Sequence, residues 1–157
     1  MKPGVTDRMN WPYVVVALVS GAALACQVGF NTGLRSRMGS PIVAALVSFL
    51  IGTACLIVLM LIQRPAWPDR ASLVKAPWWI WMGGVVGAVY VASAAAFASK
   101  LSAAGWLSLI VTGQIFASLI LDHYGFIGYP RVPLTPWRTF GAILLLAGVV
   151  IVVRSKG

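Results

Sequence analysis

Carboxylates are almost missing from this 157-residue chain: Asp7, Asp69 and Asp122 are its only acidic side chains. None lies in the middle of an apolar run, so the chain lacks the intramembrane acid on which a proton-coupled cation exporter usually titrates. Histidine is equally scarce. His123 is the single one, and it adjoins Asp122 in sequence, where helical neighbours do not face each other. A Ser-His-Asp constellation or a metal site would have to be assembled from distant residues. The expectation is therefore no enzyme, no metal and no cofactor. The two cysteines, Cys26 and Cys55, fall inside apolar runs without metal or redox spacing and read as small apolar side chains. Charged residues make up only 10% of the chain, against about 25% in a soluble domain.

What fills the chain instead is apolar. Hydrophobic residues account for 60% and the mean hydropathy is +0.91. Five stretches, at approximately 12–34, 42–63, 78–99, 105–121 and 139–153, approach the roughly 20 residues that a spanning helix needs. Lipid offers no partners to free backbone amides, so each span is expected to be helical. The domain reading is a polar N-terminal tail, 1–11, followed by one five-helix transmembrane domain, 12–157. Lys2 and Arg8 ahead of Ala23-Leu24-Ala25-Cys26 look somewhat like a signal peptide, but the apolar run continues past Cys26 and four more spans follow.

The net charge of +9 does not point to nucleic acid, because the basic residues stand singly or in pairs at span ends, where they meet lipid headgroups. The seven tryptophans sit at or near the same boundaries and read as an interfacial belt. Lys2, Arg8, Arg64, Arg70, Lys75, Arg131 and Arg138 fall on the N-terminal side, and Arg35, Arg37, Lys100, Arg154 and Lys156 on the other. Seven against five is a weak orientation signal. An odd number of spans with indecisive orientation suggests half of an inverted-repeat transporter, completed by a second copy.

The first span carries the sharpest pattern. At about 100° per residue, Ser20, Gln27 and Asn31 share a narrow arc, while Gly21, Ala25, Gly29 and Gly33 recur every four residues on the opposite face. The small residues read as a close-packing seam. The polar arc fits two readings, a cavity lining or interhelical glue. The third span adds Gly84, Ala88, Ala92 and Ala96 as another small-residue stripe, with Tyr90 and Ser93 as its polar groups. The second contributes Ser48, Gly52 and Cys55 on one face, and the fourth Gln114 and Ser118. Gln114 is the natural companion of Gln27 and Asn31. Gly141 and Gly148 read as the contact face of the last span. Residues 35–41 read as a tight turn, with Gly39 and Pro41 as breakers.

Several of these segments resemble a known family. Gln27-Val28-Gly29-Phe30-Asn31-Thr32-Gly33-Leu34, Gly39-Ser40-Pro41, Ser48-Phe49-Leu50-Ile51-Gly52-Thr53, Pro77-Trp78-Trp79, Gly113-Gln114 and Leu121-Asp122-His123-Tyr124-Gly125 are similar to the YdcZ-type half-size members of the drug/metabolite transporter superfamily. The resemblance covers nearly all of the chain after the tail. It implies five helices in the bacterial inner membrane, assembly as an antiparallel homodimer or with a paralogous partner chain, and an exporter role. The related four-helix small multidrug exporters carry a glutamate in the first span, where this chain has Gln27 and Asn31. The expectation is an all-α, multi-pass transporter of a polar or amphipathic small molecule working by alternating access. Substrate contacts are expected from Gln27, Asn31, Gln114, Ser20, Ser48 and Tyr90, and helix packing from Gly21, Ala25, Gly29, Gly33, Gly84 and Ala88. The alternative is a non-transporting bundle, either an accessory subunit or a lipid-binding protein.

Overall fold

The computed structural model describes residues 10–155; most of the N-terminal tail, with Lys2, Asp7 and Arg8, and Lys156 lie outside the described residues. The architecture is all-helical: α1 (Trp11–Met38), α2 (Pro41–Gln63), a short α3 (Arg70–Val74), α4 (Met82–Leu101), α5 (Ala103–Tyr124) and α6 (Pro136–Arg154). A 3₁₀ turn at Trp78–Trp81 leads into α4, giving a continuous span from Trp78 to Leu101. Five helices among the described residues are long and apolar enough to cross a membrane.

The ends of these helices follow local chemistry. α1 does not stop at Leu34, where the apolar run ends, but continues through Arg35 and Arg37 to Met38. Two arginines in its last turn suit the negative end of the helix dipole. Gly39 then closes it in the left-handed region at φ 71°, donating its N–H to the Arg35 carbonyl. Ser40 caps α2 at once, accepting from the Val43 N–H. The expected turn over 35–41 therefore contracts to two residues. α6 starts at Pro136, three residues before its hydropathy does, because Thr135 accepts from the Arg138 N–H and proline fits the first helical turn.

Packing follows the chain hairpins. α1, α2 and α4 contact one another, α4 hands on to α5, and α6 lies against α5. The buried core consists of small residues: Ala44, Ala45, Ala94, Ala95, Ala98 and Ala142, joined by Val28, Val91 and Val149. No large side chain is fully buried among the described residues. Small side chains let helix backbones approach in lipid, where hydrocarbon tails compete with any apolar contact. Van der Waals fit therefore holds this bundle together more than hydrophobic burial does.

Candidate functional site

α1 settles where the first-span residues go. Its packed face is Val28, Asn31 and Arg35, a spacing of three and four that places them on one side, with Val28 and Arg35 meeting α4. Val28 joins Ala94 and Ala98 of α4 in one buried cluster, on which Trp106 and Leu107 of α5 pack. Asn31, at 4% exposure, is buried, and its amide has no hydrogen-bond partner among the described residues. Trp106 departs from the expected interfacial belt. It is half-buried against this cluster and its Nε1 is buried without a partner among the described residues, whereas Trp11, Trp67, Trp78, Trp79, Trp81 and Trp137 are exposed.

Gln27 lies one position aside, about 100° around α1 from Val28. It is exposed, and it lines an open groove of about 220 Å³ with Ser48, Gly52 and Thr53 of α2, flanked by Phe49 and Leu56. The fold thus brings together Gln27 and Ser48 from the expected set and adds Thr53. It does not bring the others to this groove. Asn31 is buried, Ser20 is exposed further along α1, Tyr90 is half-buried on α4, and Gln114 is exposed on α5.

The small-residue stripes are open within a single chain. A Cβ added at Gly21, Gly29, Gly33 or Gly84 would meet nothing within 4 Å. Ala25 is half-buried, and Ala88 lines an apolar groove between α2 and α4. The close approach along α4 is made at Gly87, where an added Cβ would lie 3.5 Å from the Phe49 ring. On α6 the contact face is carried by Ala142 and Val149, one residue beyond Gly141 and Gly148, both of which face open space. Seven-residue spacing fixed the periodicity there, but one residue of phase rotates the face by about 100°.

Polar organisation outside the spans concentrates where α5 meets α6. Asp122 pairs with Arg138, and its carbonyl accepts from the Val132 N–H at 2.7 Å. His123 accepts from the Leu134 N–H through Nδ1 at 3.1 Å, and its carbonyl accepts from the Arg131 guanidinium at 3.2 Å. The acid and the histidine next to this span thus tie down the loop that joins the two helices. No group of three or more metal-ligating side chains occurs among the described residues.

A family model described as "Putative inner membrane exporter, YdcZ" matches residues 12–151. No curated protein and no solved structure matches the chain.

Proposed function

The chain belongs to the YdcZ family and is a multi-pass inner-membrane protein; from that premise we propose that it exports a polar or amphipathic small molecule, two copies pairing antiparallel and alternating access around a site between them. The observation that carries this reading is the groove of Gln27, Ser48 and Thr53, which places three polar side chains on mid-span faces that the chain leaves uncovered. Polar groups at that depth are costly against lipid and are found facing a cavity, a ligand or another helix. A second, inverted copy would cover the groove and supply its own set of polar residues from the other side of the midplane. The Trp106 Nε1 adds to this, since a buried polar group without a partner among the described residues costs roughly 1–3 kcal/mol and gains most from a partner that arrives with substrate or with a change of state.

In this arrangement Gln27, Ser48 and Thr53 hold substrate by hydrogen bonds, with Ser20 further along the same face. Asn31 would gain a hydrogen-bond partner as α1 shifts within the bundle. Gln114 and Tyr90 would meet the site across the contact with the second copy. The open glycines at 21, 29 and 33, with Gly84 and Ala88, would serve as the seam between chains.

The test is flux from proteoliposomes loaded with a panel of polar and amphipathic compounds. Gln27→Leu is expected to abolish export of any transported compound while the purified protein keeps its oligomeric state. Unchanged flux in that variant would remove the groove from the pathway.

A further inference from the structure

We propose that the end of the bundle opposite the Asp122–Arg138 pair carries an oxyanion site, built around Arg35, that takes a phosphate group. The site is separate from the Gln27 groove and does not depend on its role in export. A polar cleft of about 420 Å³ opens there, lined by Thr32, Arg35, Ser36 and Gly39 of the α1 end and by Ser99 of α4.

Two arginines lie in the last turn of α1, and they behave differently. Arg37 is exposed, as expected of a side chain reaching for the headgroup layer. Arg35 turns inward instead. Its Nη1 donates to the carbonyls of Ala96 at 3.1 Å and Ala95 at 3.4 Å on α4. These bonds fix the plane of the guanidinium and use one nitrogen. Nε and Nη2 make no hydrogen bond among the described residues, and together they form the edge of the fork that grips a carboxylate or phosphate in bidentate fashion. The Ser99 hydroxyl across the cleft is likewise unengaged among the described residues. Thr32 and Ser36 donate to their own helix, at Val28 and Gly33. Gly39 presents no side chain, which keeps the mouth open.

Among the described residues, the charged side chains at this end are all basic. Arg35, Arg37 and Arg154 all lie at this end, and no acidic side chain does among the described residues; Asp69 and Asp122 are at the opposite end of the bundle. A fixed guanidinium edge with no acidic side chain near it among the described residues fits a phosphate better than a neutral or cationic ligand. The phosphate could belong to a lipid headgroup or to a soluble compound, and the two sources are separable.

In one arm, protein in nanodiscs of mixed phosphatidylcholine and phosphatidylglycerol is released and its retained lipid identified by native mass spectrometry. In the other, detergent-solubilised protein is titrated with inorganic phosphate and followed by thermal stabilisation. Arg35→Gln removes the fork. Ser99→Asp places a carboxylate in the cleft while leaving the Arg35 bonds to α4, which guards against a folding defect in the first variant. Both are expected to weaken binding by about tenfold or more, with Arg37→Gln within about twofold of wild type as the control for surface charge alone. Selective retention of phosphatidylglycerol, lost in both variants, assigns the site to a headgroup. Saturable stabilisation by phosphate, lost in both, assigns it to a soluble anion. Binding in neither arm, or binding that ignores Arg35 and Ser99, overturns the proposal.

Discussion

Asn31 and Gln27 stand one helical turn apart on α1, yet they meet different surroundings: Asn31 is buried within the bundle and Gln27 opens beside α2. Substitution should separate them. Asn31→Leu replaces a buried residue, whose amide has no partner among the described residues, by an apolar one of similar reach, so thermal stability in detergent is expected to hold within about 1 kcal/mol, while transport is lost. A variant that unfolds would instead make Asn31 an essential packing residue. Strain offers a second test at this scale. Ile127, in the α5–α6 loop, has φ 56° and ψ 33°, a left-handed conformation that costs a β-branched residue roughly 1–2 kcal/mol. Ile127→Asn should raise the melting temperature, and a drop would place the Ile127 side chain in a contact that outweighs its backbone. The sequence identified the polar groups of α1 because few residues compete for notice in an apolar span. It could not tell that Arg35 turns inward while Arg37 stays exposed, since both are arginines near a helix end and only the position of α4 distinguishes them.

At the scale of the helix, all five spans were readable from hydropathy, and their ends were not. The hydropathy of α1 fades at Leu34 while the helix runs on to Met38, because charged residues are good helix formers and the stop signal is the left-handed Gly39. Phase was harder still. The packed face of α1 runs through Val28, Asn31 and Arg35, from the edge of the polar arc toward the glycine stripe, and the stripe faces open space within one chain. This gives the two positions opposite consequences. Val28→Leu adds a methylene to a buried cluster with Ala94 and Ala98 and should destabilise the single chain by about 1–3 kcal/mol. Gly29→Leu meets nothing in its own chain, so it should leave the helical fold intact and disrupt association between chains. Circular dichroism melts and size-exclusion of the two variants distinguish these effects; a Gly29→Leu protein that still pairs would take the stripe out of the interface.

For the whole molecule, the scarcity of carboxylates and the near-even basic residues carry the reading. The described spans place Asp122 at the end of α5, tied to Arg138, and no acid at mid-depth. Ligand release is therefore expected to move no protons between about pH 6 and 8 beyond those of exposed groups, as checked by pH-indicator dye in lightly buffered detergent solution. Proton uptake that survives replacement of both Asp122 and His123 would contradict this. The basic count of seven against five leaves orientation undecided. Replacing Arg37 and Arg154 by Gln makes it seven to three and spares Arg35, whose bonds hold α1 to α4. The edited chain should insert one way only and lose function until a chain fixed in the reverse orientation is co-expressed.

The most direct measurement of the antiparallel pair is orientation in whole cells. With Cys26 and Cys55 replaced by Ala, a single cysteine at Ala66, in the connection between α2 and α3, is exposed to an impermeant thiol reagent before and after permeabilisation. Two copies inserted in opposite directions predict that about half of these single-cysteine chains react in intact cells and the remainder only after permeabilisation. Complete reaction from one side, in a protein that still associates and transports, would contradict the inverted homodimer.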